Sequence, residues 1–382
     1  MHGPRSTAST SLLDGLGEGA VTNKAAEIDE LVARWVRPQI RQLSAYQVAD
    51  AEGLIKLDAM ENPYQWPEAL REEWLDLLRK AEINRYPHPQ APGVKAGLRR
   101  TMAIPDGMPL VLGNGSDELI QMIAMTVAGP GRKVLSVEPS FVMYRMIATF
   151  LGMEYQGVAL NPDFSLDITS LLSEIERTQP ALIFLAYPNN PTGNLFAQDD
   201  LLRVIEAAPG LVVIDEAYAP FTDVSFVPKL GQYANLLVMR TVSKMGLAGL
   251  RLGLLTGPAA WINEIEKTRL PYNINVLTQI SAEFSLNHQS VFDRQTAAIR
   301  QARDTLLGQL QCIDGIEPFA SHANFILVRL APGRADHVFH DLRQCGVLVK
   351  NMHGSHPLLA DCLRVTVGTP EENSAFLAAF RP

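Results

Sequence analysis

Residues 236–256 read LLVMRTVSKMGLAGLRLGLLT. Two apolar runs, Leu236–Met239 and Leu252–Thr256, have the length and branching of buried strands. The polar loop between them sets Ser243 beside Lys244 and places Arg251 seven residues further on, with glycines at 246, 249 and 253 that let backbone or ligand approach closely. An amine that forms a Schiff base needs a nearby anion site to hold its carbonyl partner in register, and serine and arginine are good phosphate ligands. The combination suggests pyridoxal phosphate. A lone lysine is more often a solvated surface charge, so Lys244 has to be judged by its neighbours.

Outward from this stretch, strand-like segments at 134–137, 155–159, 181–186 and 211–214 alternate with helix-like ones at 143–151, 167–178 and 199–208. Near-continuous Val/Ile/Leu strands in such alternation indicate an α/β fold, a mostly parallel sheet flanked by helices on both faces. Sites in these sheets collect at the carboxyl ends of the strands. Three polar clusters lie there: ALIFLAY runs into PNNPTG (188–193), LVVI into DEAY (215–218), and LLVM into RTVSK (240–244). Singly, each has a plain reading as a turn, a helix cap or a surface pair. In this order and with these residue types, the three loops are expected to converge.

Further upstream, Val111-Leu112 ends in GNGSDE (113–118) and is followed by apolar residues at helical spacing. A helix opening at Ser116 or Asp117 would offer free backbone N–H groups and a hydroxyl to an anion, although the same pattern also makes an ordinary N-cap. Two proline-punctuated loops, ENPY (61–64) and NRYPHP (84–89), each carry a tyrosine. Downstream, a long helical stretch is expected at 279–310, then strands at 324–328, 347–349 and 363–367 with helices at 334–345 and 371–380, a smaller α+β domain. Near the start, Ile28, Leu31, Val32 and Trp35 recur at helical spacing until Pro38. The expected division is a disordered extension at 1–23, an arm at 24–55 packing on the small domain, a large cofactor-binding domain at 56–280 and a small domain at 281–382.

A chain of 382 residues with 47% hydrophobic content can bury a large core and exceeds what one core usually spans. Net charge of -8 without a basic run disfavours nucleic acid. No apolar run reaches membrane-spanning length and no signal-peptide core is evident, so a cytoplasmic address is expected. Cys312, Cys345 and Cys362 are scattered and read as reduced. His353/His356 and His337/His340, with Asp336 and Asp341, have metal-like spacing but no further ligands, and surface polarity is the preferred reading; no metal is expected.

Taken together, NRYPHP, GNGSDELI, YPNNPTG, VIDEAY, RTVSKMGLAGLRLG and VLVKNMHG with CLRVTVGTPEEN resemble the fold-type I, aspartate-aminotransferase-like pyridoxal-phosphate enzymes from about Arg37 to the C terminus. Among these they look most like the histidinol-phosphate aminotransferases. The resemblance implies that Lys244 holds the cofactor as a Schiff base and later carries a proton. It implies that Asp215 faces the pyridine nitrogen, that Asn190 and Tyr218 donate to the phenolic oxygen, and that Phe141 stacks on the ring. Ser116, Asp117, Ser243 and Arg251 would hold the phosphate, and Tyr86 would reach that of the neighbouring subunit in a homodimer. Arg364 would grip the acidic end of substrate, with Asn62, Tyr64 and Lys350 nearby. Two departures stand out: Lys244 and Arg251 are one residue closer than in many members, and Phe141 replaces the commoner tyrosine.

The implied reaction is transamination between histidinol phosphate and 2-oxoglutarate, giving imidazole-acetol phosphate and glutamate. Its rivals are an aromatic amino-acid aminotransferase, which would use the same Lys244, Asp215 and Arg364, and a phosphothreonine-type decarboxylase, which would release CO2. A binding module without turnover would have no need of a Schiff-base lysine.

Overall fold

The computed structural model describes residues 18–45 and 49–382, and the chain divides into two compact units between Ala49 and Asp50. The first holds helices α1 (Glu18–Trp35) and α2 (Pro38–Arg41). Helix α1 starts at Glu18, inside the extension expected to be disordered to residue 23. Residues 1–17, where the rest of that expectation falls, lie outside the described residues.

The second unit opens with β1 (Ile55–Leu57), α3 (Glu68–Leu78) and α4 (Pro92–Thr101). There follow β2 (Leu110–Gly113), α5 (Ser116–Val127), β3 (Lys133–Glu138), α6 (Met143–Leu151), β4 (Glu154–Ala159), α7 (Ile168–Thr178), β5 (Leu182–Ala186), α8 (Gln198–Ala207) and β6 (Leu211–Asp215). Next come β7 (Leu236–Thr241), β8 (Gly253–Thr256), α9 (Ala259–Glu266), α10 (Val276–Asn287) and α11 (Gln289–Gln311). The chain ends with β9 (Ile316–Pro318), β10 (Phe325–Leu330), α12 (Ala335–Gln344), β11 (Val347–Asn351), β12 (Cys362–Thr366) and α13 (Pro370–Ala379).

Seven strands form the larger sheet in the order β2-β8-β7-β6-β5-β3-β4. From β7 to β4 all pairs are parallel, and β8 alone runs against both its neighbours. Every residue of β5 and β6 is buried, as expected for strands covered on both faces. One face, with Ile183, Val212 and Val238, packs on α4, α7, α8 and α10. The other, with Phe184, Val213 and Leu237, packs on α5, α6 and α9. Each such fully buried aliphatic or aromatic side chain contributes about 1.5–3 kcal/mol. Sheet order reverses between β3 and β5, since the chain moves outward from β3 to β4 and then back past β3 to β5. Loops following β3 and β5 therefore part there and leave a crevice at the carboxyl edge.

The smaller sheet has the order β1-β11-β12-β10-β9, with only β1 and β11 parallel. Its Leu57, Val347 and Val365 face pack on Leu306 and Leu310 of α11, Val338 and Leu342 of α12 and Phe376 of α13. Helix α13 starts in a reciprocal cap between Thr369 and Glu372. Because β1 belongs to this sheet, the domain start expected at 56 falls inside a strand of the smaller sheet. The boundary expected at 280 falls inside α10, whose Ala282 and Leu286 join the larger sheet's core. The single long helix expected at 279–310 is two helices, broken at His288 (φ -111°, ψ 29°), whose Nδ1 lies 2.9 Å from the Phe284 carbonyl oxygen. Among the described residues no helix is long and apolar enough to cross a membrane.

Candidate active site

The loops after β5, β6 and β7 converge on one cavity, joined by the start of α5 and the segment after β3. Asn190, Asp215, Tyr218, Ser243 and Lys244 all line it. Phe141, Ser116, Asp117 and Arg251 complete the set of expected cofactor residues found in its walls.

One end is built for an anion. Gly115 precedes α5 with φ 84°, a conformation that only glycine adopts freely, so Ser116 and Asp117 begin the helix with unpaired N–H groups directed outward. A Cβ on Gly115 would lie 2.7 Å from Arg251 Nη2, so guanidinium and bare backbone meet at one point. Arg251 itself is held left-handed at φ 47°, a strained setting for a non-glycine residue. Its Nη2 is 3.7 Å from Asp117 Oδ2. Burial raises the Asp117 carboxyl, with Arg251 and Lys244 pulling the other way. Ser243 Oγ sits 2.8 Å from Thr241 Oγ1.

Lys244 occupies the middle, its Nζ donating to the Ala59 carbonyl at 3.4 Å and lying 5.9 Å from the Tyr218 ring centroid. Burial, then the Arg364 charge, lowers its pKa to about 8, with Arg251 adding to the effect. A substantial share of the amine is therefore neutral under mildly alkaline conditions. Asp215, the last residue of β6, is 4% exposed, and burial pushes its carboxyl up to about 6 despite hydrogen bonds from Tyr144 and the Ala217 backbone.

Across from the lysine runs a chain of polar contacts. Arg364 Nη1 donates to Asn190 Oδ1 at 2.6 Å, and Asn190 Nδ2 donates to the Tyr218 hydroxyl at 3.1 Å. The second guanidinium nitrogen donates to the Asp58 carbonyl at 2.9 Å, and the group lies 5.3 Å from the Phe325 ring centroid. Arg364 is thus buried, not the surface charge that an arginine near a strand start usually is. Burial raises the Tyr218 phenol, which stays protonated as a donor.

Other expected residues are placed differently. Asn62 Nδ2 donates to Met245 O at 2.9 Å and to Gln295 Oε1 at 3.0 Å, bracketing the lysine loop against α11. Its amide accepts from Tyr64 N, and this turn directs Tyr64 into a separate cavity between α11 and α13. Neither residue lines the lysine's cavity. Lys350 lies directly opposite Arg364 across β11 and β12, so both point to the same face of the smaller sheet. Tyr86 is 81% exposed, stacks on Tyr272 at 4.5 Å and does not line the cavity of its own chain. Met60 lines the cavity without having been foreseen, and Tyr144 bonds Asp215 from behind it. Of the histidines with metal-like spacing, His353 Nδ1 accepts from Asp361 N at 2.9 Å, His356 Nδ1 accepts from Leu358 N at 3.2 Å, and His340 Nδ1 lies 2.8 Å from the Asp336 carbonyl oxygen.

The family model for aminotransferase class I and II matches residues 52–380. The chain is 57% identical over 350 residues to histidinol-phosphate aminotransferase 2 of Nitrosococcus oceani, covering 92% of this chain and 97% of that one. It is 51% identical to histidinol-phosphate aminotransferase of Chromobacterium violaceum, with 92% and 98% covered. Among solved structures, histidinol-phosphate aminotransferase from Sinorhizobium meliloti in complex with pyridoxal-5'-phosphate superimposes with TM-score 0.80 over 90% of this chain and 96% of that one. At 22% identity, that likeness is one of fold.

Proposed function

The chain belongs to the class I and II aminotransferase family, among the histidinol-phosphate aminotransferases, and from that premise we propose that it exchanges an amino group between histidinol phosphate and 2-oxoglutarate. The products are imidazole-acetol phosphate and glutamate, and in histidine biosynthesis the net flux runs from glutamate toward histidinol phosphate. The observation that carries the reading is the buried Arg364–Asn190–Tyr218 chain set beside Lys244.

The cavity fits pyridoxal 5'-phosphate. The point where Gly115, the start of α5 and Arg251 meet suits the phosphate, with Ser243 and Ser116 adding hydroxyls. Asp215 is a buried anion in need of a cationic partner, as a protonated pyridine nitrogen would be. When bound, the cofactor supplies an electron sink for charge released at the substrate's α-carbon.

Lys244 Nζ is the amine that would hold the cofactor and, once freed, would take and return the substrate's α-proton; its lowered pKa suits both tasks. Asn190 and Tyr218 would donate toward the phenolic oxygen, and Arg364 holds the Asn190 amide with its Nδ2 toward the Tyr218 hydroxyl. Phe141 presents a ring wall. Arg364 binds the acidic end of either substrate, since a guanidinium fork suits carboxylate and phosphate alike, and Lys350 adds a second cation on the same face. Tyr86, exposed and stacked on Tyr272, would reach the phosphate of the neighbouring subunit in a homodimer.

The deciding experiment is a half-reaction: histidinol phosphate alone is mixed with cofactor-loaded protein while cofactor absorbance is followed, with phenylalanine and phosphothreonine run in parallel. Stoichiometric conversion to the pyridoxamine form, fastest with histidinol phosphate, is expected. Conversion by phenylalanine only, or CO2 release from phosphothreonine, would refute the substrate assignment and leave the cofactor standing. Gly115→Ala tests the phosphate end. An added Cβ strains φ and displaces Arg251, so cofactor affinity of the apoprotein should fall by about tenfold or more in a fluorescence titration; an unchanged affinity would place the phosphate elsewhere.

A further inference from the structure

Asp215 does not stand alone at the end of β6. Its Oδ2 accepts a hydrogen bond from the Tyr144 hydroxyl at 2.7 Å, and its Oδ1 accepts one from the Ala217 backbone at 3.1 Å. Tyr144 is 1% exposed. Its ring lies flat on Phe184 of β5, centroids 4.7 Å apart with 4° between planes, and meets Phe141 edge-on at 5.6 Å. A phenol enclosed in this way has no bulk water to donate to, and the carboxylate is its hydrogen-bond partner. Burial and the adjoining carboxylate raise its pKa well above the usual phenol range, so it remains a donor.

Phe141 stands two residues before α6 and Tyr144 in its first turn, the Tyr144 N–H donating to the Phe141 carbonyl at 3.2 Å. Phe141 lines the cavity, while Tyr144 passes behind it to the carboxylate. Other charges near Asp215 act against its ionisation: Asp117 from α5 and the adjacent Glu216 both raise its pKa. Glu216 is itself paired with Arg240, 2.7 Å away, and bonded to Ser225. Among the described residues Tyr144 is the one side-chain donor to the Asp215 carboxylate.

We infer that Tyr144 is a positioning residue for amino transfer: its hydroxyl fixes the plane of the Asp215 carboxylate and makes it the weaker claimant of the proton shared with the pyridine nitrogen. A donor to a carboxylate stabilises the anion. The shared proton therefore rests on nitrogen rather than on oxygen, and no other atom or electron changes place. A cationic ring withdraws electrons from the α-carbon far better than a neutral one, so the hydroxyl acts on the rate through Asp215 without touching substrate. This rests on the cofactor reading proposed above.

The test uses holoenzyme reconstituted with cofactor carrying 15N at the ring nitrogen. Tyr144→Phe keeps the ring stacked on Phe184 and removes only the hydroxyl. Its 15N resonance should move from the pyridinium end toward the neutral pyridine end, and kcat should fall by roughly 10- to 100-fold, the worth of a hydrogen bond to a charged group, with KM within about twofold. Phe184→Leu, which loosens the packing and spares the hydroxyl, should leave the resonance in place. If Tyr144→Phe does not fold, 4-aminophenylalanine at 144 offers a weaker donor and should give an intermediate resonance. A wild-type resonance in whichever variant folds overturns the proposal, whatever happens to activity. Failure of the apoprotein to take up labelled cofactor overturns the cofactor reading and this inference with it, whereas uptake with an unmoved resonance overturns the inference alone.

Discussion

Lys244→Ala should fold, bind the cofactor's phosphate and lose amino transfer, with kcat down by about ten-thousand-fold or more, because in the proposed reaction one side chain is both attachment point and proton carrier. Among the described residues the Lys244 ammonium makes no hydrogen bond at the anion end of the cavity; it donates to the Ala59 carbonyl. Retention of the cofactor and loss of chemistry should therefore separate. Borohydride treatment followed by intact mass measurement supplies the check. Wild-type protein should gain one cofactor mass covalently, and the variant should gain none while still changing the cofactor's absorbance on mixing. Turnover within a hundredfold of wild type would remove Lys244 from the chemistry.

Asp215→Asn should cut kcat by about a thousandfold or more, since the amide carries no charge to hold a proton on the pyridine nitrogen. A second effect appears without cofactor. Burial moves the Asp215 carboxyl from 3.8 to about 6 in the folded protein. A raised carboxyl pKa means that the native state holds the proton more tightly than the unfolded chain. Apoprotein stability therefore falls as pH rises from about 4 through about 6, by about 3 kcal/mol at full ionisation. Asparagine has no such titration. Thermal melts of both apoproteins at pH 4.5 and 8 should show the wild type losing more stability across that interval. Equal losses would mean that the carboxylate is not desolvated as the packing indicates. A cationic partner reverses this cost, so the cofactor should stabilise wild type more than the variant.

The sequence showed the site best where chemistry and topology coincide. Asn190, Asp215 and Lys244 each follow a run of buried strand residues, and parallel strands bring such ends together. Ser116 and Arg251 were legible for the same reason, one at a helix start and the other close before a strand. Tyr144 was not, because a tyrosine in an apolar helix face is indistinguishable from core until its hydroxyl is seen to have one partner; its spacing from Phe141 was the available hint. Asn62 and Tyr64 show the limit of loops. ENPY carries the residue types of a ligand site, but its turn spends the amide on Met245 and Gln295 and sends the ring toward α11. Domain edges were blurred where sequence neighbours part in space, as at β1, which pairs with β11 nearly three hundred residues on. Helices α3 and α9 each follow a proline at the N-cap, a start signal that lies outside the strand–helix alternation of the chain.

The reversal of β8 has a further consequence. Thr241 on β7 sits opposite Gly253 on β8, and Val242 N and Thr241 Oγ1 both bond Leu252 O. The loop bearing Lys244 and Arg251 thus leaves and re-enters the sheet at one rung, a clasp whose jaws cannot slide past each other. With the roles proposed above, the closed rung sets the span between the Lys244 amine and the Arg251 guanidinium, which would gauge the distance from aldehyde carbon to phosphate. A vitamer lacking phosphate would then engage one jaw only, and a homologue with an extra methylene would seat in either but not in both.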